Sequence, residues 1–191
     1  MMEPTDAERV DRFQRGDRHA LTALVRRWEG FVLRVATRVT GDVGEGEEVR
    51  QSVFLHFLES PEAVRHPDRF AAWLRRSTVN AAISAVRGRS RRERSTDRLR
   101  VHSVGFDSTL PGDALEAADE AERLTVAMAR LEPEERALLS LRFDESLTFA
   151  EIAAALGLPA STIKSRSARL VARLRVMLDA DTPADADGAR S

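Results

Sequence analysis

Phe149-Ala-Glu-Ile-Ala-Ala-Ala-Leu156, then Gly157-Leu158-Pro159, then Ala160-Ser-Thr-Ile-Lys-Ser-Arg-Ser-Ala-Arg-Leu170, is the stretch on which the fold is decided. Ile152 and Leu156 recur at helical spacing on one side of a short first helix. Gly157 falls where a tight turn needs positive φ, which glycine adopts without steric cost, and Leu158 plugs the corner. A second helix then starts near Pro159 to Thr162, capped by Ser161 or by the neighbour of Pro159. Its inward face is Ile163, Leu170 and Leu174, while Lys164, Ser165, Arg166, Arg169 and Arg173 lie elsewhere on its surface. A helical hairpin with a glycine turn would need less than this. The run from Leu156 to Arg166 is more particular and specifies a helix-turn-helix.

Outward from that unit, every periodic segment reads as helix. Ala20 to Val39 aligns Leu21, Leu24, Val25, Trp28, Val32, Val35, Ala36 and Val39 on one stripe, with Asp17 as N-cap and Gly41-Asp42 as the stop. Glu45 to Leu58 repeats the pattern through Val49, Val53, Phe54, Phe57 and Leu58, ending at Ser60-Pro61. From Pro67, suited to a first helical turn, Phe70, Trp73, Leu74, Ser77, Ala81 and Val86 run to Gly88. Arg89 to Gly112 has no sustained period and reads as a linker. Helices resume over Ala114 to Leu131 and Pro133 to Phe143, and the last 13 residues, rich in Asp, Ala and Pro, are expected to be disordered. The expected class is all-α, with two small helical domains joined by a flexible linker. The expected boundaries are 1–88, a linker over 89–113, a helix-turn-helix domain over 114–178 and an acidic tail over 179–191.

Composition narrows what such a chain does. Its 191 residues allow one or two small domains. With no cysteine, disulfides, thiolate zinc sites, iron–sulfur clusters and a catalytic thiol are excluded. No apolar run is long enough for a membrane-spanning helix, and Met1 to Asp17 lacks the apolar core of a signal peptide, so a cytoplasmic location is expected. The net charge of −1 hides segregation: −2 over 1–60, +7 over 61–100, −6 over 101–136, +3 over 137–178 and −3 beyond. Two basic blocks separated by an acidic one suggest two contacts with a polyanion, although solvated helix faces would give the same totals.

The helix-turn-helix favours the polyanion. A second helix exposed along one side presents cations and hydroxyls to base edges and phosphates of a major groove. Arg166 or Lys164 suits guanine, and Ser161, Thr162 and Ser165 suit phosphates or mixed roles. Residues 87–100 carry 7 basic against 2 acidic residues, either a solvated linker or a contact with a DNA strand. Lys164 is the only lysine; so strong an arginine bias fits a GC-rich genome, although arginine also suits bidentate phosphate and guanine contacts.

Leu131-Glu-Pro-Glu-Glu-Arg-Ala-Leu-Leu-Ser-Leu-Arg-Phe143, Leu147-Thr-Phe-Ala-Glu-Ile-Ala153 and Ser161-Thr-Ile-Lys-Ser-Arg166 together resemble conserved region 4 of bacterial sigma factors. Val39-Thr-Gly-Asp42, Glu47-Glu-Val-Arg-Gln-Ser-Val-Phe-Leu55 and Phe70-Ala-Ala-Trp-Leu-Arg-Arg76 resemble conserved region 2, in the expected order. Two regions on a short linker, without region 3, are similar to the extracytoplasmic-function (ECF) subfamily. The resemblance covers roughly Asp6 to Leu178 and implies a factor that docks on core RNA polymerase and directs it to a promoter. By that resemblance, Glu47, Glu48, Gln51 and Phe54 meet the coiled-coil clamp helices of the β′ subunit. The loop from Ser60 to Pro67 and the helix carrying Asn80 receive the −10 element. Asn80 holds a flipped base there, and Arg65, Arg75, Arg76 and Arg87 bind the single strand. Ser161, Thr162, Lys164, Ser165, Arg166, Arg169 and Arg173 read the −35 element as duplex. Region 4 also touches the β flap, and the subfamily implies an anti-sigma factor as partner. A core role competes for Phe54 and Trp73.

Five positions depart from the family pattern: Glu48 where an Asp is usual, which preserves the charge, Arg50 where an aliphatic residue is common, Ser52 where an acid is common, Ser84 for a frequent Asp, and Ser167 for an apolar residue. Arg50 and Ser52 make the polymerase-facing surface less acidic, which implies weaker polymerase binding or a shifted partner surface.

Other classes fit less well. The four histidines sit in different segments without metal spacing, and no phosphate loop or nucleophile elbow appears, so neither catalysis, a cofactor nor a bound metal is expected. A stand-alone helix-turn-helix regulator would leave the first domain without a role, whereas a sigma-like adapter without initiation activity remains open through Arg50, Ser52 and Ser84. Near-neutrality further predicts weak DNA binding by the free chain, with strong promoter binding only once polymerase holds its two halves apart.

Overall fold

The computed structural model describes residues 3–96 and 123–180. Eight helices account for most of them. They are α1 (Asp6–Gln14), α2 (Arg18–Thr40), α3 (Val43–Glu59), α4 (Phe70–Thr96), α5 (123–129), α6 (Pro133–Leu139), α7 (Phe149–Leu156) and α8 (Ala160–Ala180). Two short 3-10 turns, Pro61–Ala63 and Pro67–Arg69, lead into α4, and α6 runs on into a π-helical segment, Ser140–Asp144. Among the described residues there is no strand.

Side-chain capping explains several boundaries. The Asp17 carboxylate accepts the His19 and Ala20 amides at the start of α2, as the sequence predicts, and Gly41 ends that helix at φ 73°. The Asp42 carboxylate caps α3 through the Glu45 amide at 2.8 Å. Helix α1 escapes the hydrophobic-period reading, although a capping box marks it: Thr5 N–H donates to Glu8, and Glu8 N–H donates to the Thr5 hydroxyl. The N-terminal stretch is therefore part of the fold. Its Asp6 accepts the Trp28 indole N–H at 3.0 Å and pairs with Arg27, tying α1 to α2.

The expected stop at Gly88 does not occur, since α4 continues to Thr96. One glycine costs a helix only about 1 kcal/mol. Just beyond it Arg89 donates to Glu45 of α3 at 2.8 Å and to the Thr40 carbonyl at 3.0 Å, anchoring the added turns. The linker reading therefore fails over its first residues, and its remainder lies outside the described residues, as do the helix expected over 114–122 and the tail beyond Ala180. The tail's first two residues, Asp179 and Ala180, belong to α8.

The first group of helices, α1–α4, surrounds Leu24, Val32, Val35, Val39, Val49, Val53, Phe57, Phe70, Leu74 and Val79, all essentially without exposure. Helices α2 and α3 approach so closely at Gly46 that a Cβ there would lie 2.3 Å from the Thr37 hydroxyl. Trp73 is half-buried among Phe57, Phe70 and His56, with ring centroids 5.5–6.1 Å apart, which is the core position the sequence favours. The second group buries Ala127, Leu131, Leu138, Leu141, Ile152, Ile163, Leu170 and Leu174. Helix α8 starts at Ala160, and the Pro159 carbonyl accepts the Ile163 amide, so Ser161 sits inside the helix rather than capping it.

Candidate nucleic-acid interface

The hairpin of α7 and α8 is built as its sequence prescribes. Thr148 and Glu151 form a capping box at the start of α7, and Gly157 closes the turn at φ 67°. Three hydrogen bonds hold the Glu151 carboxylate low: the Thr148 amide foremost, then the Thr148 hydroxyl, with Arg75 adding to them. On α8, Ile163, Ser167, Leu170 and Leu174 are buried, so Ser167 occupies an inward position. Ser161, Lys164, Ser165, Arg166, Arg169 and Arg173 are exposed and Thr162 is half-buried.

Across from α8 lies α4. Between them runs a cleft of about 750 Å³ lined by Asn80, Ser84 and Arg87 on one side and by Arg166, Arg169 and Arg173 on the other. Val79, Ile83, Leu156, Leu158 and Leu170 form its apolar floor. The structure thus brings two of the −10 candidates and three of the −35 candidates to one place. Arg65, exposed between the two 3-10 turns, and Arg75 and Arg76 lie outside the cleft, as do Ser161, Thr162, Lys164 and Ser165.

Several of these cations already have partners. Arg87 donates to Glu134 at the start of α6, and Arg75 donates to Glu151 of α7 at 3.1 Å while lying 5.8 Å from the Trp28 ring. Arg173 pairs with Glu135, whose carboxylate also accepts the Glu132 amide. Two more bridges join α2 to the end of the π segment. Arg34 meets Glu145 at 2.8 and 3.2 Å, and Arg38 meets Asp144 at 3.0 and 3.1 Å, both as two-pronged pairs. The Glu145 carboxylate raises the pKa of Arg34. The acids Glu134, Asp144, Glu145 and Glu151 were not singled out by sequence reasoning; the −6 segment beside the +7 segment was the signal for the first of them.

The seam between the two helical groups is imperfect. Among the described residues, the side-chain atoms buried without a hydrogen-bond partner are Arg75 Nε, Arg136 Nε and the Ser140 hydroxyl, and all three belong to elements packed along it. Arg136 is buried, and its pKa is lowered first by that burial and then by the like charge of Arg89. Each orphaned polar atom costs about 1–3 kcal/mol, against about 0–1 kcal/mol gained from an exposed ion pair.

The polymerase-binding candidates share one face of α3. Gln51 and Glu48 are exposed, and Glu47 is half-buried. Phe54 is partly buried against the core, in keeping with its core reading. Arg50 donates to Glu47 at 2.8 Å and reaches Glu29 of α2 at 3.5 Å, neutralising one of the acids on that face.

Fold and site define an all-helical, two-part promoter-reading protein with a helix-turn-helix in its second part. Residues 24–92 match the family Sigma-70 region 2, and residues 127–176 match Sigma-70, region 4. The chain is 24% identical over 184 residues to the ECF RNA polymerase sigma factor SigW of Bacillus subtilis, covering 93% of this chain and 98% of the relative. It is 29% identical over 172 residues to the ECF RNA polymerase sigma-E factor of Escherichia coli, covering 85% and 88%. Among solved structures, CnrH in complex with the cytosolic domain of CnrY superposes with a TM-score of 0.68 at 25% identity, over 93% of this chain and 99% of that one. The sigma factor RpoE bound to the anti-sigma factor NepR, from Bartonella quintana, superposes at 0.67 and 21% identity, over 84% and 98%. This chain belongs to the sigma-70 family, as an ECF sigma factor. It directs transcription initiation through regions 2 and 4, and the family is non-catalytic. Sigma factors bind core RNA polymerase and promoter DNA. Among the described residues no helix is long and apolar enough to cross a membrane.

Proposed function

We propose that α3 docks this sigma factor on the β′ clamp helices through Glu47, Glu48, Gln51 and Phe54. In this reading residues 1–88 form the region 2 unit that recognises and melts the −10 element. Asn80 holds a flipped base, and Arg65, Arg75, Arg76 and Arg87 bind the displaced strand. Residues 114–178 form the region 4 unit, in which Ser161, Thr162, Lys164, Ser165, Arg166, Arg169 and Arg173 read the −35 element and which touches the β flap. The chain works in the cytoplasm under an anti-sigma factor.

The observation that carries this reading is α8 itself, where a buried apolar seam leaves Lys164, Arg166, Arg169 and Arg173 exposed on a helix that follows a glycine turn. The test is reconstitution with core polymerase and a promoter library. Run-off transcripts sharing −10 and −35 motifs are the expected result. Loss of the −35 preference in Lys164→Ala/Arg166→Ala, with −10 preference retained, assigns α8 its element; unchanged preference at both elements refutes the assignment.

A further inference from the structure

Between the end of α3 and the start of α4 the chain has little secondary structure with which to hold a shape. Pro61 and Pro67 fix their own φ angles, and each opens a single 3-10 turn. Residues 64–66, between those turns, belong to no regular element. Val64 is buried and anchors the stretch from below, while Glu62, Ala63, Arg65 and His66 are exposed.

Further support comes from the other end of the first helical group. Gln14, the last residue of α1, donates its side-chain amide to the Pro61 carbonyl at 2.9 Å and to the Val64 carbonyl at 3.0 Å. Both partners are carbonyl oxygens, which only accept, so the amide nitrogen with its two hydrogens must face the loop. The Val64 carbonyl lies in one planar unit with the Arg65 N–H and Cα. Holding that carbonyl therefore fixes the direction in which Arg65 leaves the loop.

Gln14 is itself firmly seated. Its neighbour Phe13 is buried, with its ring centroid 5.1 Å from that of Phe57 on α3. At the start of α1, Asp6 accepts the Trp28 indole N–H. The donor and the root of the loop are thus fixed to the same core.

We propose that Gln14 is a positioning residue for −10 recognition: it clamps the 60–67 loop in the shape that presents Arg65 and His66 to the displaced strand. The proposal rests on the reading of that loop as part of the −10 reader, and it gives α1 a part in promoter choice. A loop fixed before DNA arrives accepts the base that fits and does not reshape itself around one that does not. Without the clamp, residues 64–66 readjust, and a wrong base is accommodated nearly as well as the right one.

Variants of the full-length chain test this. Gln14→Met keeps the length of the side chain and removes both donors, whereas Gln14→Lys supplies donors again on a stem of similar reach. On the free chain, exchange of the Val64 amide hydrogen, which is bonded to the Pro61 carbonyl, should quicken about fivefold in Gln14→Met and slow again in Gln14→Lys. With core polymerase and a promoter library randomised over the −10 element, Gln14→Met should lose about fivefold in −10 selectivity. That is the low end for two neutral hydrogen bonds from an exposed donor. Gln14→Lys should recover most of it, and −35 selectivity and affinity for core polymerase should stay at wild-type values.

Unchanged −10 selectivity in Gln14→Met overturns the proposal, and so does an equal loss in Gln14→Met and Gln14→Lys. A loss that extends to −35 selectivity or to core affinity marks a general defect in folding and overturns it as well. Arg65→Ala/His66→Ala separates the clamp from the promoter reading. If that variant loses −10 selectivity while Gln14→Met keeps it, the loop reads DNA and only the clamp is refuted. If it keeps −10 selectivity, the loop is no reader and both ideas fall.

Discussion

Helices α4 and α8 carry cations of the same kind in opposite states. On α4 the strand-binding candidates Arg75 and Arg87 are held by Glu151 and Glu134, carboxylates from the other half of the chain. On α8, Lys164, Arg166 and Arg169 have no carboxylate within bridging distance among the described residues, and only Arg173 is paired, with Glu135 of its own half. Difference in commitment, not in residue type, separates the two helices.

The largest expected effect tests α8. Lys164→Ala/Arg166→Ala should lower run-off transcription from a −35-dependent promoter about 100-fold, at about 1–3 kcal/mol per base contact. The logarithmic salt slope of duplex binding should fall by about 2. Helix fold should be unaffected, since both side chains are exposed. A smaller loss, about tenfold in open-complex formation measured by permanganate footprinting, is expected for Asn80→Ala. Duplex −35 binding should stay at wild-type level, which separates the two faces. If Asn80→Ala weakens duplex binding equally, the comparison fails.

Arg50→Val/Ser52→Glu on α3 should raise core-polymerase affinity about three- to tenfold in a fluorescence-anisotropy titration. It frees Glu47 from Arg50 and adds an acid to the docking face. No gain would show that Glu47 takes no part in docking.

The smallest effect concerns acid. The Glu151 carboxyl is held below its usual range by Thr148 and Arg75, so its contribution to stability is complete above the ordinary carboxylate pKa of about 4.3 and is lost as pH falls through the lowered value. Glu151→Gln should therefore lower the melting temperature slightly at pH 7 and flatten its decline below pH 4. The wild-type and variant curves should converge at the acid end.

Much of this was legible in the sequence. The α7–turn–α8 unit reads directly, because Ile152, Gly157, Ile163 and Leu170 each satisfy a local rule that needs no knowledge of the rest of the chain. Helices α2 and α3 read equally well, since Asp17 and Gly41 mark their limits within a turn. Helix α1 was missed because it carries few apolar residues and buries Val10 and Phe13 through a fold-wide contact, although Thr5 and Glu8 spell its start. The added turns of α4 were missed for a related reason. Gly88 is a local stop signal, and what overrides it is Arg89 bonding to Glu45 and Thr40, 44 and 49 residues away. The seam between the halves was least legible. Its partners lie 47 to 111 residues apart, and opposite net charges along a chain predict attraction without saying which arginine meets which acid.

The π-helical segment Ser140–Asp144 shows how finely that seam is set. A π turn accommodates one more residue than an α turn, and one residue corresponds to about 100° of rotation around a helix axis. The two acids at its end, Asp144 and Glu145, are thereby aimed at Arg38 and Arg34, which lie one turn apart on α2. Deleting an uncharged residue from this segment, such as Phe143, would leave every charge in the chain unchanged and turn both acids away from their partners. This pair of bridges is tuned by angle as well as by charge, so a relative could lose it through a one-residue gap that composition would never reveal.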